Sequence, residues 1–329
     1  MWGWIIGISL LVLFLGAFTG ILLWSYRKAF YVPRSKKQVD SHEFFGGKKD
    51  EFCRASLYTL VDELEALPFE KVSIRSHDGL RLVGRYYHFS DSNRVEILFN
   101  GWRGNAFRDG CGGAKIARDT GYNLLLVDQR AHGESDGNVI SFGINEKYDC
   151  LNWANYVVDR FGKDVIILLG GVSMGAATVL MASSLPLPEN VKLITADCPY
   201  SSPEAIIRKV SRDMGISDRL GYPFVALGAR LFGGFSIRDG GAVEAVKHAK
   251  VPIMIMHGEG DDFVPFSMGR EIFDACASEK EFLAIPEAGH GLSYFYDTDT
   301  YVSAVGGFKK RHIEAAEKEK NHKTNSDQK

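Results

Sequence analysis

Apolar and polar positions divide the chain into three regimes. Residues 2–24 form an uncharged apolar run, WGWIIGISLLVLFLGAFTGILLW. As a helix it would extend about 35 Å, enough to cross a bilayer core. Trp2 and Trp4 at one end, and Trp24 and Tyr26 at the other, have the placement of interfacial aromatic belts. A secretory signal would want basic residues before the run and a small-residue cleavage site after it. The segment has neither, so a single transmembrane anchor is expected. Gly16 and Gly20 have the spacing of a helix-pairing motif, although glycine is common in membrane helices without it. Residues 25–69 read as a polar linker and a packing helix over 50–67, with Phe52, Leu57, Leu60, Val61 and Leu64 on one face.

From residue 70 the period changes. Strands are predicted at 70–76 and 80–88, joined at His77-Asp78-Gly79, and then at 95–100, 123–128, 165–170, 191–196, 251–256 and 281–285. Helices are predicted at 109–119, 142–161, 175–184, 265–277 and from 294 onward. Nearly continuous apolar strands alternating with helices predict an α/β domain over 70–315. Its sheet is mostly parallel, with helices on both faces and an antiparallel first pair. Residues 199–248 break the alternation between two core strands, with glycines at 221, 228, 233 and 234, and read as an inserted helical cap. Residues 316–329 form a polar tail whose end is expected to be disordered.

Composition changes this picture little: 45% hydrophobic and 24% charged residues are ordinary globular usage. A net charge of −2 argues against nucleic-acid binding. Local charge is more informative. Arg27, Lys28, Arg34, Lys36 and Lys37 all follow the apolar run, which places the large domain on the cytoplasmic side of the cell membrane. Five scattered cysteines (53, 111, 150, 198 and 276) suit buried reduced thiols better than a disulfide framework or a zinc site. No metal or cofactor is expected, and oligomeric state is not legible.

The candidate chemistry begins at Gly171-Val172-Ser173-Met174-Gly175. This G-x-S-x-G follows a predicted strand and opens a predicted helix, the context in which a serine is lifted above the sheet as a nucleophile. A serine hydroxyl needs a base. Among nine histidines, His290 is singled out by its small neighbours and its position after the last strand. The base needs an acid to fix its tautomer. Asp261 lies past the end of the 251–256 strand, with Asp262 beside it as the weaker alternative. Acyl transfer also needs donors for an oxyanion. These are assigned to the backbone N–H groups of Met174 and of Trp102, in the loop after the 95–100 strand. Arg103 could face substrate as a cation but reads first as a structural ion-pair member, and His132 could be a second base but reads first as part of a structural turn.

FNGWRGN, DQRAHGES, SFGINEKYDCLNW, GVSMGAAT, HGEGDDFVP and AGHG occur in this order along the chain. Together they resemble bacterial α/β hydrolases of the serine-aminopeptidase-like branch, some of which carry an N-terminal membrane anchor. The resemblance implies an α/β-hydrolase fold and a Ser173–Asp261–His290 triad, and leaves the substrate open. Many such relatives begin the first loop with His-Gly, where this chain has Asn100. The expected function is hydrolysis of an ester, thioester or amide of a small or lipid-like substrate through an acyl-enzyme. Tyr222, Phe224, Phe232 and Phe235 of the cap could line an acyl pocket or form cap core. An aminopeptidase or amidase is the alternative, with Glu204 or Asp218 as a carboxylate for a free amine. A non-catalytic membrane-bound scaffold is the third reading.

Overall fold

A computed structural model describes residues 2–36 and 38–326, with side chains through 318. Lys37 and the last three positions of the polar tail lie outside the described residues. Helix α1 (Trp2–Ala29) continues past the apolar run without a break. Among the described residues it is the one helix long and apolar enough to cross a membrane.

The linker is more tightly held than its polarity suggests. Phe30 and Val32 are buried. The Val32 N–H donates to the Asn138 carbonyl and the Ile140 N–H to the Phe30 carbonyl, each at 2.8 Å. Helix α2 (Arg54–Glu65) buries Leu57, Val61 and Leu64 as its spacing predicts. Phe52 departs from that face and is 60% exposed. It lies in a 3-10 turn, Lys48–Cys53, whose three-residue period shifts the phase and turns Cys53 inward instead.

Strands β1 (Glu70–Arg75) and β2 (Arg81–Tyr87) pair antiparallel. Then come β3 (Arg94–Phe99), α3 (Ala106–Asp119), β4 (Asn123–Asp128), α4 (Glu146–Phe161), β5 (Ile166–Val172), α5 (Met174–Ala182) and β6 (Val191–Asp197). Helix α3 starts earlier than its apolar pattern because the Asn105 side chain caps it, accepting from the N–H groups of Phe107 and Arg108. Helix α4 starts later than expected. Phe142 and Gly143 take positive φ. The Glu146 carboxylate folds back onto Ser141 and the Gly143 N–H, which organises a turn where the pattern predicts helix.

Residues 199–248 hold α6 (Pro203–Asp213), α7 (Asp218–Gly228), a π turn (Ala229–Gly233) and α8 (Ala242–Val246). The fold closes with β7 (Ile253–Gly258), α9 (Phe266–Ala275), β8 (Lys280–Ile285), α10 (Ser293–Tyr296) and α11 (Thr298–Ser326). The expected final helix is thus broken at Asp297, whose carboxylate accepts from the Thr300 N–H and caps α11. The polar tail is helical as far as Ser326, and its end, where disorder is expected, lies outside the described residues.

The described strands form one sheet in the order β1-β2-β4-β3-β5-β6-β7-β8, parallel except at β1–β2 and β2–β4. Alternate residues of β5 face opposite layers. Ile167 and Leu169 pack with Trp153 of α4 and Leu180 of α5. Ile166 and Leu168 pack with Ile116 of α3 and Phe308 of α11. On that second side Lys309 Nζ reaches both oxygens of Glu96 at 2.7 and 2.8 Å, a buried ion pair against the sheet. Strand order reverses between β3 and β5, and the candidate site gathers at the carboxyl ends there, as in open α/β sheets generally.

Candidate active site

The turn from β5 into α5 leaves no room for side chains beside its serine. A Cβ at Gly171 would collide with the Gly175 backbone, and one at Gly175 with the Phe99 carbonyl. Both glycines of the motif are therefore required by close approach. Ser173 itself sits at φ 55, ψ −113, a conformation that costs a non-glycine residue energy. It is held there by its N–H donating to the Asp197 carbonyl at 2.8 Å and by its own carbonyl accepting from Ala177.

The three side chains singled out in the sequence meet. His290 Nε2 is 2.8 Å from Ser173 Oγ, and His290 Nδ1 is 2.7 Å from Asp261 Oδ2. The other oxygen of Asp261 accepts from the Phe263 and Val264 N–H groups at 2.9 and 2.8 Å. Burial alone would raise the Asp261 carboxyl. The neighbouring His290 charge, hydrogen bonds from His257 and His290, and the Val264 N–H outweigh it and hold the carboxyl well below the usual range. Asp262, the alternative acid, points to solvent and stands 3.7 Å from Lys49.

Met174 is the first residue of α5, so its N–H is one of the unpaired donors of a helix start. The loop carrying Trp102 is pinned on both sides. The Gly101 N–H donates to Asp109, and Asn100 spans from the Gly101 carbonyl to the Gln129 N–H. Asn100 thus supplies side-chain hydrogen bonds at the loop position where related chains carry histidine.

Arg103 is structural, but not through an ion pair. Its guanidinium donates to the carbonyls of Arg27, Lys28 and Tyr31, capping the end of α1. His132 is fully buried, with Nδ1 on the Arg130 carbonyl, and burial lowers its pKa. In the same turn Arg130 joins Asp149 and Asp78. Glu204 is paired with Arg208, and Asp218 with Arg212. Neither acid lines the cavities at Ser173.

Two groups near the site carried no sequence signal. His257, at the end of β7, is buried with Nε2 3.0 Å from the Val264 carbonyl and 3.4 Å from Asp261. Gly269 of α9 leaves room for its ring. Asp197, at the end of β6, accepts from Tyr301 Oη at 3.0 Å. Burial pushes its carboxyl up to about 6, although Tyr301, His257 and His290 pull the other way. All five cysteines are free and buried. Burial raises the Cys198 thiol, beside Asp197, well above its usual value.

Two cavities border Ser173. One, of about 360 Å³, is lined by Ile206, Ile207 and Val210 of α6, Val225 of α7, and Trp24 and Ala29 of α1. The other, of about 680 Å³, lies on the His290 side and takes in charges of both signs, Lys36, Arg103 and Arg108 with Asp40, Glu43 and Asp109. The four cap aromatics expected as acyl-pocket liners pack elsewhere. Phe224, Phe232 and Phe235 stack on Phe18, Tyr26 and Phe30, and Tyr222 lies under Arg208.

A family model described as alpha/beta hydrolase fold matches residues 97–219. The Bacillus subtilis protein YqkD is 25% identical over 191 residues, covering 58% of this chain and 63% of that protein. The lysophosphatidylserine lipase ABHD12 of Macaca fascicularis is 27% identical over 179 residues, covering 51% of this chain and 41% of that protein. The chain therefore spans less than two thirds of these relatives' own length. Among solved structures, the Pyrococcus furiosus esterase Pf2001 superposes with a TM-score of 0.62 at 22% identity, over 76% of this chain and 93% of that one. Est1E of Butyrivibrio proteoclasticus, solved with ferulic acid, gives 0.57 at 18% identity, over 74% of this chain and 99% of that one.

Proposed function

We propose that this chain, which has the α/β-hydrolase fold, is a membrane-anchored serine hydrolase that cleaves an ester of a lipid-like substrate. The observation that carries the reading is the continuous hydrogen-bonded line Ser173–His290–Asp261, at 2.8 and 2.7 Å. Asp261 holds His290 with Nδ1 protonated, so that Nε2 accepts the Ser173 proton as Oγ attacks the carbonyl. The backbone N–H groups of Met174 and Trp102 receive the oxyanion. His290 then protonates the leaving alcohol, and water releases the acyl group from Ser173 by the same route.

The cavities suggest which part of a substrate goes where. The one walled by α6, α7 and α1 is apolar and suits an acyl chain. The one lined by charged residues of both signs, Lys36, Arg103 and Arg108 with Asp40, Glu43 and Asp109, suits a polar leaving group. The lysophosphatidylserine lipase and esterase relatives fit this division. Helix α1, with its aromatic ends and the basic residues after it, supports an anchor with the domain on the cytoplasmic side. The aminopeptidase or amidase reading loses its amine-binding candidates, since Glu204 and Asp218 are already paired with arginines.

The full chain in detergent, given p-nitrophenyl esters of increasing length and a fluorophosphonate probe, tests this. Turnover and labelling are expected in the parent and neither in Ser173→Ala. A folded parent inert to both would leave the scaffold reading.

A further inference from the structure

Helix α1 and the cap overlap at the end of the apolar run, from Phe18 onward. The Phe18 ring lies 5.4 Å from that of Phe224 in α7. A Cβ at Gly228 of α7 would stand 3.3 Å from the Leu22 carbonyl oxygen, so the two backbones are close. Phe18 is about 9 Å further along the helix than Trp24, toward the interior of the run. Beside these contacts Ile21, Leu23 and Trp24 of α1 remain exposed. They would face water if α1 left the bilayer at Phe18. A bilayer boundary at Trp24 therefore brings part of α7 to the level of the acyl layer.

The surface of α7 is suited to that depth. Leu220 is 71% exposed and Leu227 is also exposed, as are Leu231, at 61%, and Phe232 in the π turn. Positions 220, 227 and 231 are spaced seven and four apart, one face of a helix. Single exposed leucines carry no message, but this stripe is continuous with the apolar surface of α1. Arg219 and Arg230, each next in sequence to one of these leucines, are exposed and can meet lipid phosphates. The apolar cavity runs out to the end of the apolar run of α1. It begins at Ser173, which is buried, and reaches Met214 and Trp24, which are 54% and 48% exposed.

We infer that α7 and the π turn dock into the bilayer surface beside α1, and that the apolar cavity opens to the acyl layer there. A long-chain acyl amphiphile then enters laterally from the membrane in which the chain is anchored. The docking rests on the anchor reading of α1, and the nature of the cargo on the proposed esterase reading.

Because all five native cysteines are buried, Leu231→Cys in the full chain can be labelled selectively with an environment-sensitive fluorophore. In phosphatidylcholine nanodiscs carrying a lipid-borne nitroxide, quenching is expected at position 231. A label at Lys163→Cys, before β5 and away from the strand ends that carry the site, is expected to stay bright. Equal behaviour at the two positions would overturn the docking. In parallel, Leu220→Glu/Leu231→Glu is expected to lower turnover of a vesicle-embedded long-chain ester about 10-fold. Its turnover of p-nitrophenyl acetate and its fluorophosphonate labelling should stay within about twofold of the parent. Loss of both activities together, or of neither, counts against lateral entry. Quenching needs no turnover, so a parent inert to esters and probe would remove the esterase reading while the docking is still decided.

Discussion

The indole N–H of Trp102 donates to the Ala29 carbonyl at 3.2 Å, fastening the loop after β3 to the last residue of α1. The residue proposed to offer its backbone N–H to the oxyanion is thus positioned through its side chain by α1. Trp102→Phe keeps the ring and removes the bond, worth about 1 kcal/mol. The expected result is about a fivefold loss in kcat on a soluble ester with little change in melting temperature. An unchanged kcat would show that the loop is held without α1.

Asp261 is expected to remain ionised throughout the working range, because its environment holds it low. Asp261→Asn keeps the shape and removes the charge that orients His290. Turnover is expected to fall by about 10⁴-fold and not to be recovered at any pH between about 6 and 9. A pH-rate profile of the variant checks this, and substantial activity at high pH would argue for a different acid.

Asp197 behaves in the opposite sense. Its folded pKa, about 6, lies above the ordinary value of 3.8. Its contribution to stability is therefore full below about pH 4 and is lost as pH rises through about 6. Asp197→Asn is expected to be more stable than the parent by about 1–3 kcal/mol at pH 8, and nearly equal to it at pH 4. Denaturant melts at the two pH values decide this, and no gain at pH 8 would show that the buried carboxylate is adequately compensated.

Lys309 and Glu96 are each buried against the other. Lys309→Met alone leaves a carboxylate without a partner and is expected to cost about 3–5 kcal/mol. Adding Glu96→Leu is expected to restore most of that, since a buried pair contributes little against an apolar replacement. If the double variant is as unstable as the single one, the cost lies in packing rather than charge.

Much of this was legible because local and global signals agree. The β5–turn–α5 unit is readable from an apolar run, two glycines that only close packing demands, and a second apolar run. His290 and Asp261 follow from their places after strands. The start of α4 was misread because Phe142 is apolar at a helical spacing, while Glu146 bonds backward and reorganises the turn. Phe52 was misassigned because a 3-10 turn has another period. Arg103 and Asp197 act through partners far away in sequence, which a linear pattern does not display. Phe30 and Val32, apolar residues among the basic ones that follow the apolar run, were the available hint that α1 is built into the domain.

The Glu96–Lys309 pair also sets a clock. Its members are 213 positions apart. At 5–20 residues per second, a ribosome needs roughly 10–40 s to travel from one to the other. During that interval β3 exists without the cation that pairs with Glu96, so closing the centre of the sheet carries the cost of an unpaired buried carboxylate. On the anchored reading α1 is by then already in the bilayer. The chain would then mature tethered, its half-built core waiting at the membrane for α11 to emerge.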